Sequence, residues 1–354
     1  MKRVVGTGVA LMVGLLAVGC QHTLSPDNGR CGPTPRLLVG AGAYPAVDAS
    51  AAVQSSVTGM VLSGADLYFV VSNVGSGYPD HLYLAGAVMH VSTHGGASTQ
   101  LAGGYVFQTP LLTPTSVIVG ETAAPGTAGD GGIALIPRGG GSSTTLVTFT
   151  GTALTAGPAS DGTSVYYADS AGVESVPLAP ATAPALPTRL SPLLPNNLGV
   201  FGSTLLMLLS TGAIETIPIA AGDAGAESSL GSGLPSTAGT LIACGDDACW
   251  LAGGDIDEIA PTGGTLGTTA TLTGPVAAPT SLVFDGTNFF VAGTAGSPNG
   301  TGTIARVPRQ GGPQVEVATL PSSGPIAVDD ACVYFATSTG IFSLQKNAEG
   351  VVLP

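Results

Sequence analysis

A segment of about 42 residues recurs seven times along this chain of 354 residues, and this repeat limits the folds available to it. Each copy has a glycine, then an alternating apolar and polar run that often ends in proline, then a turn. GIALIPRGGG and GTIARVPRQGG are two clear examples. Successive glycines lie 46, 40, 40, 42, 48 and 38 residues apart, at Gly86, Gly132, Gly172, Gly212, Gly254, Gly302 and Gly340. An alternating run of this length predicts a half-buried β-strand.

A second short apolar run precedes each of these glycines at a similar position in the repeat. The runs begin at Asp66, Ser116, Ser164, Thr204, Ala248, Asn288 and Cys332. A period of 40–45 residues that carries four short strands is typical of β-propeller blades. Blades packed in a ring bury both faces of each sheet and leave no open end. The fold class predicted is therefore all-β, a β-propeller of seven four-stranded blades. Six or eight blades, a β-sandwich and an open solenoid are the alternatives.

The two ends of the chain suggest how the ring closes. After Gly350 only four residues remain, which we interpret as a stub of a fourth strand. The early segment Pro35–Gly40 resembles the strand that ends the previous repeat, and it comes before Ala46-Val47-Asp48 much as that strand comes before Ala327-Val328-Asp329. We predict that the N-terminal strand completes the last blade.

Composition excludes some classes of protein. Only 9% of residues are charged, against about 25% in an average soluble domain. The formal net charge is −13, and lysine occurs only at Lys2 and Lys346, so no basic patch can form. Such a surface repels nucleic-acid phosphates. We expect no nucleic-acid partner.

The N-terminus predicts export. Met1-Lys2-Arg3 is a positive start, and Val4–Val18 is an apolar run too short to span a bilayer as a helix. It ends in Leu16-Ala17-Val18-Gly19-Cys20, which resembles the bacterial lipobox, although alanine stands where leucine is usual. The resemblance implies lipidation of Cys20, and Gln21 after it implies transfer to the outer membrane. The domains predicted are a lipoprotein signal peptide at 1–19, a lipidated cysteine with its tether at 20–35, and the propeller at 36–354. An ordinary signal peptide is the alternative.

The repeat also carries a family resemblance. Ile326-Ala327-Val328-Asp329, the following Val333-Tyr334-Phe335 and the run IARVPRQGGPQVEVATL are similar to the repeats of secreted β-propeller lipoproteins of myxobacteria and their relatives. These repeats also resemble TolB-like and NHL-like propellers. The likeness covers about residues 56–354. It implies a fold and a compartment; no functional residue carries over.

Four cysteines remain besides Cys20, and in an exported protein they favour two disulfides. Cys244 and Cys249 flank a short turn between two strands of one blade, so a bridge there is sterically easy. Cys332 occupies the same repeat position as Cys249, but alanine replaces its local partner. We therefore predict that Cys332 pairs with Cys31. Free buried thiols are the alternative.

Residues suited to catalysis or metal binding are few. The chain has no GxSxG, P-loop or HExxH motif. His90 and His94 would lie about 13 Å apart on one strand, too far to share a metal ion, and both are interpreted as solvent-facing. The acidic groups Asp246-Asp247 and Asp255, Asp257 and Glu258 are interpreted as solvated surface, and Trp250 as core. We expect no cofactor and no metal.

Three long loops suggest where a partner binds. The turn between the second and third strands of a blade is long at Ser72–Ala85, Glu121–Gly131 and Gly293–Thr301, and short in the other four repeats. Insertions on one face of a repeat protein often mark its binding face. The first loop concentrates polar and aromatic residues, and the predicted partner-binding residues are Tyr78, Asp80, His81 and Tyr83. Tolerated loop drift is the alternative.

The function expected is that of a membrane-tethered, non-catalytic propeller that binds a protein or glycan of the bacterial envelope or acts as a scaffold there. The alternative is a lyase or hydrolase with a site at the mouth of the central channel. Histidine, arginine and acidic side chains at that mouth would favour the enzyme, whereas alanine, glycine, serine and valine would count against it. A structural envelope component without a ligand is the third class.

Overall fold

The structure is a computed structural model, and it describes residues 29–44, 53–75, 83–104, 106–107, 109–122, 131–149, 154–179, 184–220, 223–232, 239, 241–295 and 301–353. These residues form 31 β-strands in seven sheets and one 3-10 helix, Ala41–Ala43. Within these ranges no helix has the length and apolar character needed to cross a membrane. The seven blades confirm the predicted all-β propeller and its blade count.

Blades 1 to 3 follow one another along the chain. Blade 1 contains β2 (Val53–Ser63), β3 (Asp66–Gly75), β4 (Tyr83–Ser92) and β5 (Thr99–Gly104). Blade 2 contains β6 (Val106–Phe107), β7 (Leu111–Leu112), β8 (Ser116–Thr122), β9 (Gly131–Pro137) and β10 (Thr144–Phe149), with β6 and β7 both paired with β8. Blade 3 contains β11 (Ala156–Ser160), β12 (Ser164–Asp169), β13 (Gly172–Pro177) and β14 (Thr188–Ser191).

Blades 4 to 6 repeat this up-and-down order. Blade 4 contains β15 (Pro195–Phe201), β16 (Thr204–Leu209), β17 (Ile214–Ala220), β18 (Asp223–Ala224) and β19 (Ser228–Gly231). Blade 5 contains β20 (Ile242–Cys244), β21 (Asp247–Ala252), β22 (Asp255–Ile259) and β23 (Gly267–Thr271). Blade 6 contains β24 (Val276–Phe284), β25 (Asn288–Ala295), β26 (Gly302–Pro308) and β27 (Val315–Leu320).

The closing blade, blade 7, combines both ends of the chain. Its strands β28 (Ile326–Val328), β29 (Cys332–Thr337) and β30 (Gly340–Gln345) come from the last repeat, and its fourth strand is β1 (Arg36–Gly40), antiparallel to β30. This confirms the predicted closure by the N-terminal strand. The assignment of the C-terminal stub to the last blade is wrong. The stub forms β31 (Val351–Val352), which pairs in parallel with β27 as a fifth, outermost strand of blade 6.

The core is divided among the seven junctions between neighbouring blades. Seven clusters of buried apolar side chains each join residues of two adjacent blades, and the seventh joins blade 7 to blade 1, with Tyr334 and Phe69 among its members. Because every junction carries such a cluster, the ring is closed by packing as well as by hydrogen bonds. Trp250 lies fully buried between blades 4 and 5, as predicted.

In several blades, close packing of the backbone explains the glycine that marks each repeat. A Cβ atom at Gly132 would lie 2.5 Å from the carbonyl oxygen of Val147, and one at Gly302 would lie 2.6 Å from the carbonyl carbon of Ser322. Neither distance is tolerable for a real side chain. Only glycine lets the third strand start this close to the backbone of the following strand or link.

The ring has two faces, which differ in the turns that they carry. The lower face carries the turns between the first and second and between the third and fourth strands of each blade, and the upper face carries the turns between the second and third. On the lower face Asp161, Asp285 and Asp329 each accept two backbone N–H groups from the residues two and three positions ahead. This side-chain turn explains the aspartate that recurs before the second strand.

Cations that follow the third strand join neighbouring blades on the lower face. Arg138 of blade 2 donates to Ser63 Oγ of blade 1 at 2.7 Å. Arg309 of blade 6 reaches Asp247 of blade 5 at 2.7 Å, and Lys346 of blade 7 reaches Asp285 of blade 6 at 2.8 Å. One repeat position therefore connects each of these blades to the blade before it.

Candidate functional site

The predicted binding residues lie largely outside the described part of the chain. Tyr78, Asp80 and His81 belong to residues 76–82, which are not described; Tyr83 begins β4, but its side chain is not described. The structure does give the base of this loop. Ser72–Gly75 extends β3 and residues from Tyr83 onward extend β4, so part of the predicted loop is a two-stranded hairpin.

The hairpin is continuous with the first strand of its blade. Gln54 pairs with Val74, and Ser56 pairs with Ser72, so β2 runs alongside the hairpin up to Val53. The three strands form an extended sheet on the upper face of blade 1. The other two predicted long loops begin in the same way, with β8 reaching Thr122 and β25 reaching Ala295.

A cavity of about 500 Å³ opens on the upper face between blades 7 and 1. Its walls come from the start of β2, the link before β28, the end of β29 and the 3-10 helix. The lining residues are Ala41, Ser55, Ser56, Val57, Ser322, Ser323, Gly324, Ala336, Thr337 and Ser338. The cavity therefore lies where the ring closes, between blade 7 and the first strand of blade 1. Ser56 pairs directly with Ser72 at the base of the hairpin, so the cavity and the predicted binding loop are neighbours.

Hydroxyl groups and backbone dominate the walls of the cavity. Among the described residues that line it, none has an ionisable or aromatic side chain. Some hydroxyls are already engaged, since Ser322 Oγ accepts the backbone N–H of Ser338 at 2.8 Å and Ser323 Oγ lies 3.0 Å from Thr280 Oγ1. Ser56 and Ser338 are exposed to solvent. The described part of the walls therefore suits a neutral polar surface and supplies no acid or base.

One acidic group on the upper face has an altered pKa. Glu121, which the sequence placed at the start of the second long loop, is the next-to-last residue of β8. Burial raises the pKa of its carboxyl group above the ordinary value for glutamate. Its carboxylate is thus easier to protonate than that of an exposed glutamate.

Both predicted disulfides are present. Cys31 is bonded to Cys332, with 301 residues of sequence separation, and Cys244 is bonded to Cys249, with a separation of 5. The two sulfur atoms of the second pair lie near the carboxylate of Glu258, a grouping that could resemble a metal site. Each sulfur atom is engaged in the disulfide bond, and Glu258 accepts a hydrogen bond from Arg309 at 3.2 Å. The group is therefore structural.

Asp246 is exposed, as the sequence suggested, but other acidic groups of blade 5 are less solvated than expected. Asp257 is buried, with 7% of its surface exposed, and it accepts a hydrogen bond from Thr268 Oγ1 at 2.8 Å. Burial raises the pKa of Asp257, and the hydrogen bond from Thr268 opposes this effect. Asp247 and Glu258 are half-buried partners of Arg309. The sequence missed this cluster because Arg309 comes from the next blade.

The two histidines of blade 1 lie in different environments. His90 lies on β4, where its Nε2 is 2.8 Å from Asp66 Oδ1 and its ring packs 5.1 Å from the ring of Tyr68. His94 follows the strand in an exposed turn. His90 thus pairs with Asp66 on the lower face, and it is more buried than the solvent-facing position expected.

Comparison with known proteins agrees with this architecture. No protein-family model matches the chain, and no curated protein matches it. Among solved structures, a chain of the mitotic checkpoint complex superposes with a TM-score of 0.55 at 11% identity, covering 98% of this chain and 99% of that one. The extracellular domain of a putative one component system from B. thetaiotaomicron gives a TM-score of 0.52 at 11% identity, covering 88% of this chain and 40% of that one.

A third likeness is to a prolyl endopeptidase, with a TM-score of 0.50 at 13% identity, covering 82% of this chain and 49% of that one. At these identities the likenesses concern the fold alone. The class of protein defined by the blades and by these comparisons is a seven-bladed β-propeller protein.

Proposed function

We propose that this chain is a lipid-anchored, non-catalytic β-propeller that binds a protein or glycan partner of the bacterial envelope on its upper face. The observation that carries this proposal is the hydroxyl-lined cavity beside the extended hairpin of blade 1. A concave polar surface next to a projecting hairpin offers a partner both a recess and an edge. The described lining supplies no group for general acid–base catalysis, and this favours binding over chemistry.

The compartment in this proposal comes from the N-terminus. Cys20 lies outside the described residues, and its lipidation is proposed from the resemblance of Leu16–Cys20 to the lipobox. Two disulfides in a chain with five cysteines fit an oxidising compartment. The resemblance of the repeat around Ile326–Phe335 to myxobacterial propeller lipoproteins supports the same placement, with Gln21 favouring the outer membrane.

Capture of the partner from native envelopes tests the proposal. The chain would carry a tag after Pro354, next to the outermost strand of blade 6 and away from the channel axis, and would be crosslinked in cells. One variant replaces residues 76–82 by a two-residue Asn-Gly turn, and a second carries Tyr78→Ala, Asp80→Ala, His81→Ala and Tyr83→Ala. A partner captured by the wild type and lost in both variants is the expected result.

A matched control shortens residues 296–300 in blade 6, a loop on the same face with no aromatic and no charged residue. This control should retain the partner. A third variant, Ser338→Trp, fills the cavity mouth and should weaken capture if the partner enters it. Capture that survives every change on the upper face, or no partner at all, would contradict the proposal.

The rival function is an enzyme with a site at the channel mouth. Glu121, near the upper end of the second strand of blade 2, is the described residue that favours an enzyme on this face, because burial raises the pKa of its carboxyl group, as in many general acids. Turnover of an envelope glycan or peptide by the purified chain that is abolished by Glu121→Gln would establish this rival. No turnover by the wild type, or equal turnover by the wild type and the variant, would count against it.

A further inference from the structure

The N-terminal residues meet the propeller at its lower face. Arg30 forms two ion pairs with the turn between β28 and β29, from Nη1 to Asp329 Oδ2 at 2.8 Å and from Nη2 to Asp330 Oδ1 at 2.9 Å. This turn joins the first and second strands of blade 7, so it belongs to the lower face. The side chains of Arg30 and Asp329 are only 15% and 14% exposed, which limits screening by water.

Three further interactions fix the same segment. Cys31 is joined to Cys332 by a disulfide. Ser343 Oγ donates to the carbonyl oxygen of Arg30 at 2.8 Å, and the backbone N–H of Gln345 donates to the carbonyl oxygen of Gly32 at 3.0 Å. The chain is therefore held at the lower face, covalently and by hydrogen bonds, before β1 begins.

From this point the chain runs upward, away from its own N-terminus. Arg36 pairs with Ser343 and Gly40 pairs with Gly340, so β1 starts at the lower face and ends at the upper face. The partner strand β30 has six residues and is about 20 Å long at 3.3–3.4 Å per residue. The cavity and the hairpin of blade 1 thus lie at the opposite end of the blade from the entry of the N-terminus.

We propose that the lower face of the propeller faces the membrane and that the upper face is presented away from it. This inference rests on the lipid anchor at Cys20 proposed above. Nine residues, 21–29, separate that cysteine from Arg30, and they can span at most about 30 Å. If the upper face met the membrane, this segment would have to pass about 20 Å of blade and would leave about 10 Å for the loops. The partner is therefore a soluble or projecting molecule approaching from the side opposite the lipid.

A paired probe experiment tests the orientation. A fluorescent amino acid is placed at Asn347 on the lower face or at Ser338 on the upper face, two exposed positions of the same blade. The lipidated chain is reconstituted into vesicles of phosphatidylethanolamine and phosphatidylglycerol that carry a headgroup quencher. We expect several-fold stronger quenching at position 347. Equal quenching at the two positions, or stronger quenching at 338, would overturn the proposal.

Flotation of the same samples separates this inference from the proposed anchor. Wild type should float with the vesicles, and Cys20→Ala should not. A chain that floats with no difference between the probes leaves the anchor standing and overturns the orientation. A chain that fails to float overturns the anchor and the orientation together.

Inserting about 20 Gly/Ser residues between Pro26 and Asp27 gives a flexible linker. It should reduce the difference between the probes, and an undiminished difference would overturn the role of the short segment.

Discussion

Removing the Cys31–Cys332 disulfide should cost far more stability than removing the Cys244–Cys249 disulfide. In the loop-entropy relation a crosslink that closes a loop of n residues lowers the entropy of the unfolded chain by about 2.1 + 1.5R ln n cal/mol/K. With separations of 301 and 5 residues, the relation gives about 6 and about 2 kcal/mol at 25 °C. All four cysteines are at least 96% buried, so replacing each pair by alanine removes similar packing. The difference of about 4 kcal/mol is then due to loop length.

The measurement is equilibrium urea unfolding of the two double variants, Cys31→Ala with Cys332→Ala and Cys244→Ala with Cys249→Ala. Far-UV circular dichroism should be the main probe. The one tryptophan, Trp250, is adjacent to Cys249, so its fluorescence would respond more to the Cys244/Cys249 variant than to the other variant. The slopes of the unfolding free energy against urea must agree before midpoints are compared. Losses equal within about 1 kcal/mol, or a larger loss for the short loop, would refute the reasoning.

Two further predictions concern packing and charge. Gly132→Ala should cost about 1–3 kcal/mol because its Cβ would lie 2.5 Å from the Val147 carbonyl oxygen, whereas Gly254→Ala, which meets open space, should change the urea midpoint little. Burial raises the pKa of Asp285, but hydrogen bonds from Lys346 and two backbone N–H groups outweigh it and lower the pKa below the ordinary value. The stability contributed by this carboxylate is therefore present above the unfolded pKa and lost as the pH falls through the folded pKa. Unfolding midpoints of Asp285→Asn should be lower than those of the wild type at about pH 6 and approach them at about pH 3; a constant difference would contradict this sign.

The sequence predicted the fold well because each blade repeats its own local signals. In several blades the glycine before the third strand is required by close backbone contacts, and in three blades an aspartate before the second strand accepts backbone N–H groups of its own turn, so the spacing of these residues shows the phase of the repeat. Closure by β1 was predictable for the same reason, since the strand resembles its counterparts. The parallel pairing of Val351–Val352 with β27 was not, because it joins the chain end to a neighbouring blade and leaves no repeat signal.

The contacts between blades were harder to predict from the sequence. Arg309 binds Asp247 and Glu258 across 62 and 51 residues of chain, and no local pattern links them. A signal did exist: arginine follows the proline that ends the third strand at both Arg138 and Arg309. The cavity depends on Ser55 and Ser322 meeting at the closure of the ring, so it follows from tertiary packing rather than from a motif.

Closure by the N-terminal strand also sets an order of events in synthesis. Gly40 pairs with Gly340, so β1 is made first and its partner strand is made about 300 residues later. At about 5–20 residues per second, roughly 15–60 s pass between the two. Throughout this time a strand containing Leu37, Leu38 and Val39 has an unpaired edge, which is a template for association with other chains. Synthesis of β30 ends this exposure, and a truncation after β29 would leave β1 without a partner strand.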